Sequence, residues 1–149
     1  MAVDNESEST THSPKKERTK AVRKQKERKR IDDLKEAMRN ERGYLYPEWE
    51  FLAENDVEFM EAYNNLYNIA LRDGKALPAK TREFIAIALL AYRGRENAVI
   101  EHAKRALRLG ATKQELLEAI ETSIVPGGAP TFSTGLRALM RVDEEKKAK

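Results

Sequence analysis

The fifteen residues from Leu77 to Ala91, LPAKTREFIAIALLA, decide the fold class of this chain. Pro78 suits the first turn of a helix, because the N–H that proline lacks would have no partner there. The run from Phe84 to Ala91 is apolar on every face of that helix. In a chain of 149 residues such a helix must be surrounded, either by its own chain or by further copies of it. The stretch therefore predicts a helical core and favours a homo-oligomer.

Apolar residues at helical spacing also occur on both sides of this stretch. Before it, the pattern predicts a helix from Ile31 that stops at Gly43, and a longer helix that stops at Asp73-Gly74. After it, the pattern predicts three more helices: Arg95 to Leu109, one behind the capping-box sequence Thr112-Lys113-Gln114-Glu115, and one that starts at Pro130. No alternating run is long enough for a strand. The sequence predicts an all-α, compact bundle of about six helices.

The positive net charge is concentrated in one segment. Residues 15–30 hold ten basic and two acidic residues, whereas residues 31–149 hold 18 basic and 20 acidic ones. Residues 1–14 are polar and have almost nothing to bury. We therefore expect residues 1–30 to be a disordered or solvated basic extension, and residues 31–149 to be the helical domain. Nucleic-acid association through Lys15 to Arg30 is the less favoured expectation, because this segment has no aromatic residues for base stacking.

Composition excludes several function classes. The chain has no cysteine, which excludes disulfides, cysteine-ligated zinc, iron–sulfur clusters and catalysis by a thiol of this chain. Its longest apolar run, Phe84 to Ala91, is far shorter than the roughly 20 residues that a membrane span needs. The first residues are polar and acidic, unlike a signal peptide. We expect a cytoplasmic protein with no membrane partner.

One histidine, His102, lies in the expected helical domain, beside the apolar stripe of its helix and near Arg105. A histidine in this position either fills space and hydrogen-bonds a neighbour, or transfers protons together with an acidic partner. Glu83 is the candidate partner, because its carboxylate stands immediately before the apolar run and can fix the tautomer of an imidazole. The alternative is that Glu83 only favours the N-terminal end of its helix. Spacing alone leaves both open.

Four signatures occur in order along the helical part of the chain. They are Leu77-Pro78 with Lys80 and the segment Arg82 to Ala88; His102 with Ala106; Gly110-Ala111-Thr112 with Glu115; and Gly127-Gly128-Ala129-Pro130. Together they resemble the carboxymuconolactone decarboxylase and alkylhydroperoxidase D superfamily over roughly residues 51–141. The resemblance implies an all-helical fold whose identical chains assemble as trimers or hexamers.

The peroxidase branch of that superfamily, as the resemblance implies, carries Cys-x-x-Cys-x-x-x-His and a relay glutamate from the preceding helix. In this sequence His102 matches the histidine and Glu83 matches the glutamate. The two cysteine positions hold Arg95 and Ala98. Thiol peroxidase activity is therefore disfavoured.

The decarboxylase branch is locally more similar, because its Gly-Arg-Glu sequence also precedes the histidine here. The resemblance implies proton transfer on a small carboxylated or lactone-type substrate, with no metal and no cofactor. His102, Glu83 and Glu96 are then the acid/base residues. Arg95 either anchors a substrate carboxylate through its planar fork or is an exposed residue at the start of a helix. A glutamate that this branch commonly has is replaced by Ala98, so the alternative is a non-catalytic oligomeric protein of the superfamily that binds a ligand or serves as a scaffold.

The glycine-rich segment before the last helix is explained most simply as a sharp turn. Glycine tolerates a positive φ, and proline starts the next helix. By resemblance, Gly127, Gly128 and Pro130 also line the substrate pocket. The expected partners are thus a small-molecule substrate and further copies of the chain.

Overall fold

The computed structural model of this chain describes residues 14–148, which form seven helices and no strand. These are α1 (Pro14–Arg42), α2 (Pro47–Asn55), α3 (Val57–Leu71), α4 (Ala79–Tyr92), α5 (Glu96–Arg108), α6 (Lys113–Thr122) and α7 (Ile124–Lys147). The all-α prediction is confirmed, with one helix more than expected. None of the described helices has the length and apolar character that crossing a membrane requires.

Two clusters of buried side chains hold the helices together. The larger one joins α4, α5, α6 and α7 around Ile87, Val99 and Ile120. The smaller one joins α1, α2 and α3 around Met38, Ala53 and Met60, and Trp49 stacks on Tyr63 beside it. Helix α4 packs against α3 as well as α5, so the site described below lies where the two clusters meet.

The described part of the chain covers only one side of α4. Ile85, Leu89 and Tyr92 are 48%, 60% and 62% exposed, and their spacing places them on one face of the helix. The opposite face carries Glu83 and Ile87, which are fully buried. Residues 14–148 of one chain therefore do not surround this apolar helix completely.

The ends of the helices follow their local sequence. Gly43 (φ +80°) ends α1, and Asp56 caps α3 by accepting a hydrogen bond from the backbone N–H of Phe59 (2.9 Å). The capping box predicted at Thr112 is present. Helix α7 consists of two helical parts that meet at a kink at Gly128 (φ 69°, ψ −179°), and the second part follows this kink, where the sequence predicts the last helix to start at Pro130.

Helix α1 continues across the expected domain boundary at residue 30. Residues 15–30 are exposed on every side of the helix, which is consistent with a solvated basic extension. The short helix predicted from Ile31 is the part of α1 that packs on the bundle. The division into two domains stays a prediction, as does nucleic-acid association of Lys15 to Arg30, and the disorder expected for residues 1–13 lies outside the described residues.

Candidate functional site

Glu83 stands in the second turn of α4 with its side chain completely buried. A buried carboxylate is costly unless charged or hydrogen-bonding partners compensate for the lost water. Helix α5 supplies two such partners, one for each carboxylate oxygen: His102 for Oε2 and Arg105 for Oε1. They lie three residues apart and therefore share one face of α5.

His102 is the first of these partners. Its Nδ1 lies 2.7 Å from Oε2 of Glu83, and its side chain is 11% exposed. An ionised carboxylate only accepts hydrogen bonds, so in the neutral ring Nδ1 carries the proton and Nε2 keeps its lone pair. The structure thus brings the predicted Glu83–His102 pair together; the catalytic role of the pair stays a prediction.

Arg105 is the second partner and is 4% exposed. Its Nη1 pairs with Oε1 of Glu83 and also donates to the carbonyl oxygen of Leu71 (3.2 Å). Its other nitrogens reach Glu41, with Nη2 2.8 Å from Oε1 and Nε 3.3 Å from the carbonyl oxygen. Burial alone would lower the pKa of Arg105, but the Glu83 carboxylate together with that of Glu41 outweighs it, and that pKa is raised.

Glu41 comes from the last turn of α1. Besides Arg105, it accepts a hydrogen bond from Arg72 (3.4 Å). Burial alone would raise the pKa of Glu41, but the hydrogen bonds from Arg105 and Arg72 outweigh it and lower that pKa. The carboxylate of Glu41 is therefore ionised at neutral pH and extends the ion pair from α4 to α1.

A second buried arginine, Arg42, lies behind the ring of Tyr67. Its guanidinium carbon is 3.9 Å from the centroid of that ring, and its Nη2 donates to Oδ1 of Asn64 (2.7 Å). The Tyr67 ring lies 6.5 Å from the His102 ring, centroid to centroid. Burial and then the nearby Glu83 carboxylate raise the pKa of Tyr67, so this phenol stays neutral beside the imidazole.

The aromatic connection between α1 and α2 adds two further phenols. Tyr44 and Tyr46 have ring centroids 4.9 Å apart, and both are partly buried. Burial raises the pKa of Tyr46 to about 12 and that of Tyr44 further. Both side chains are therefore uncharged at neutral pH.

Glu96 and Arg95 are not brought to His102. Six and seven residues earlier on α5, they lie about 9 and 10 Å back along the helix axis. Oε2 of Glu96 accepts a hydrogen bond from Nε of Arg137 (2.9 Å), and Oε1 lies 3.4 Å from Nη1 of Arg141. The hydrogen bond from Arg137 lowers the pKa of Glu96, and Arg141 adds to this effect against a smaller opposing effect of burial. Arg95 is the exposed N-cap residue of α5.

The segment from Gly127 to Pro130 forms the kink of α7, as a turn requires. Gly128 has a positive φ, and a Cβ at Gly127 would lie 2.4 Å from Oγ1 of Thr131. Gly128 and Pro130 are exposed. The turn explains the conformation of this segment. The described hydrogen bonds of Glu83 and His102 are with each other and with Arg105, not with this segment. A pocket-lining role of the segment stays a prediction.

Two surface clefts of the described residues lie beside the site. One of about 860 Å³ is lined by the α3–α4 connection with Asn68, Arg72 and Arg82, and one of about 370 Å³ by Lys104 and Arg108 with the end of α7. His102 lines neither. Within residues 14–148 no group of three His, Asp or Glu side chains is placed to hold a metal ion.

Sequence reasoning missed the roles of Arg105 and Glu41. For Arg105 a signal was present, because a residue three positions after His102 must share its helix face. For Glu41 no local signal exists, since 64 residues separate it from Arg105 in the chain.

Comparison with known proteins identifies a family model and several relatives that are similar to this chain. The sequence model of the carboxymuconolactone decarboxylase family matches residues 58–140. An uncharacterised protein of Cupriavidus necator is 36% identical over 84 residues, which cover 56% of this chain and 74% of that protein. An uncharacterised protein of Methanocaldococcus jannaschii is 30% identical over 99 residues, which cover 62% of this chain and 95% of that protein.

Two solved structures are similar as well. The crystal structure of a candidate carboxymuconolactone decarboxylase from Burkholderia xenovorans LB400 has a TM-score of 0.70 and 25% identity, and covers 82% of this chain and 95% of that chain. That of a carboxymuconolactone decarboxylase family protein from Legionella pneumophila has a TM-score of 0.60 and 25% identity, and covers 76% and 95%.

Proposed function

This chain belongs to the carboxymuconolactone decarboxylase family, and on that premise we propose that it catalyses proton transfer on a small carboxylated or lactone-type substrate. In this decarboxylase-like lyase reaction His102 is the acid/base residue, and no cofactor takes part. The observation that supports the proposal is the 2.7 Å contact between Nδ1 of His102 and the buried carboxylate of Glu83. The substrate class and the absence of a cofactor rest on the family resemblance.

In the proposed reaction each side chain has a separate task. Since the Nδ1 proton of His102 is held by Glu83, Nε2 is the atom that takes a proton from the substrate and returns it. The carboxylate of Glu83 stabilises the imidazolium that forms in between, by charge and by its hydrogen bond. Glu96 receives no proton-transfer step, because Arg137 and Arg141 engage its oxygens.

Replacement of the imidazole tests this proposal. Turnover of a panel of small carboxylated lactones, followed as carbon dioxide release, is expected to fall by about 10²–10⁴ in His102→Ala, which is the usual contribution of a general acid/base. His12→Ala is the matched control, because it removes the only other histidine of the chain. Full turnover by His102→Ala would show that the assigned role is wrong.

We also propose that the protein is a homo-oligomer, a trimer or hexamer, in which another copy covers the exposed side of α4. Ile85, Leu89 and Tyr92 form an apolar face that the rest of residues 14–148 leaves exposed. Light scattering should give a mass of three or six chains, and Leu89→Glu should lower it. A monomeric wild-type protein at micromolar concentration would contradict the proposal.

A non-catalytic ligand-binding protein of the same family is the second candidate. Two observations favour it: Ala98 replaces an acid that the decarboxylase branch commonly carries, and the imidazole of His102 is nearly buried. Thermal shifts with the same panel distinguish the two functions. Stabilisation without product, reduced in Glu83→Gln, supports binding alone, whereas product formation supports the enzyme.

A further inference from the structure

Four charged side chains form an unbroken series of ion pairs beside His102. Glu83 pairs with Arg105, Arg105 with Glu41, and Glu41 with Arg72. Two carboxylates and two guanidinium groups sum to zero charge. The imidazole of His102 is hydrogen-bonded to this series through Glu83. The four charges of the series already balance, so no charge on the imidazole is required.

That balance decides what kind of group His102 is. A buried carboxylate with a lone imidazole as partner would make the imidazole its counter-ion, because an uncompensated buried charge is strongly unfavourable. An imidazolium has a proton on both nitrogens and cannot act as a base. A guanidinium, which stays protonated in proteins, can take the place of the counter-ion.

We propose that Arg105 is the counter-ion of Glu83 and thereby keeps His102 neutral, with the lone pair of Nε2 free to accept a proton. The inference deepens the proposed function and rests on it for its catalytic meaning. Arg105 acts through Glu83 and is a positioning residue, since its guanidinium contacts Glu83, Glu41 and Leu71.

Glu41 completes the arrangement from the other side. It receives two of the hydrogen bonds from Arg105, one at its carboxylate and one at its carbonyl oxygen. These bonds fix the plane of the guanidinium, so that Nη1 points at Glu83. Glu41 belongs to α1 and lies outside residues 58–140, which match the family model. A residue from outside the family match therefore holds Arg105 in place.

The other groups near the imidazole do not replace Arg105. Tyr67 of α3 stays neutral, because burial raises the pKa of its phenol. Arg42 lies over the Tyr67 ring and donates to Asn64 rather than to Glu83. In the described part of the chain, Arg105 is the guanidinium in contact with the Glu83 carboxylate.

Nitrogen NMR of the histidine side chains reads the protonation state directly. We would record ¹⁵N-labelled full-length protein at pH 7.5, with His12→Gln as the background so that His102 gives the one imidazole signal set. Wild-type His102 should show one protonated nitrogen, Nδ1, and one unprotonated nitrogen, Nε2. Arg105→Met should show both nitrogens protonated, and Arg105→Lys, which keeps the charge, should restore the single proton. Arg108→Met is the matched control on the same helix, because its guanidinium donates to the carbonyl oxygen of Arg42.

Two results would overturn the inference: a doubly protonated His102 in the wild-type protein, or a singly protonated His102 in folded Arg105→Met. If Arg105→Met does not fold, the wild-type spectrum and Arg105→Lys still decide, since a second proton in either one contradicts the inference. The expected spectra without turnover of any substrate in the panel would support the inference while contradicting the proposed function.

Discussion

Removal of the Arg105 guanidinium should lower the free energy of unfolding of the whole protein. Glu83 is fully buried and Arg105 is 4% exposed, so Arg105→Met leaves a carboxylate without its cation. Breaking a buried pair in this way costs about 3–5 kcal/mol. Because His102 can take up a proton and compensate in part, we expect about 3 kcal/mol. For a chain of this size that lowers Tm by roughly 6–12 °C.

A double-mutant cycle shows whether this cost belongs to the ion pair. Glu83→Gln in the Arg105→Met background removes both charges. The loss of unfolding free energy in the double variant should therefore be smaller than the sum of the two single losses by about 2 kcal/mol. Urea unfolding at pH 7.5, followed by circular dichroism, gives the four free energies of unfolding. Arg108→Met should cost less, since its described hydrogen bond is to a carbonyl group. Additive losses within about 0.5 kcal/mol would refute the pairing.

Three further predictions concern the helices that hold the site. Gly135→Ala should destabilise the protein by about 1–3 kcal/mol, because the added Cβ would lie 2.5 Å from Cγ2 of Ile120. Ile120→Ala in the same chain should make the change tolerable. Urea unfolding that shows no loss of stability in Gly135→Ala alone would contradict this. Thr112→Ala should cost about 1 kcal/mol by removing the capping box of α6, and an unchanged unfolding midpoint would argue against it. Glu41 has a lowered pKa in the folded protein, so its stabilisation is present above the unfolded pKa of about 4.3 and is lost as the pH falls through the folded value. Glu41→Gln should therefore flatten the decline of Tm below about pH 5; a parallel decline in both proteins would contradict that assignment.

The helices could be predicted from the sequence because their signals are local. Gly43, Asp56 and Thr112 act within one turn of their own positions. Pro130 likewise signals the start of the last helical part of α7, which follows the kink at Gly128. The sequence does not show that the helical backbone ahead of Gly128 joins this part with only a single non-helical residue between them.

The sequence features that predict the Glu83–His102 pair differ from the contacts that hold the pair in place. Glu83 and His102 were paired because an acidic residue precedes a buried helix and a histidine follows on the next one. Glu96 is grouped with them because the Gly-Arg-Glu sequence before the histidine resembles the decarboxylase branch. Its neighbours on α7, Arg137 and Arg141, are more than 40 residues away in the chain, and no pattern within α5 reveals them.

The residues that form the site therefore extend beyond the residues that match the family model. Residues 58–140 contain both members of the acid/base pair and Arg105. Two of the contacts that orient Arg105 come from Glu41, and the buried guanidinium behind Tyr67 is that of Arg42. Both residues occupy the last turn of α1, where the helix packs on the bundle and Gly43 ends it. On our proposal that Arg105 keeps His102 neutral, Glu41 at the end of α1 contributes to the chemistry of the site as well as to its support.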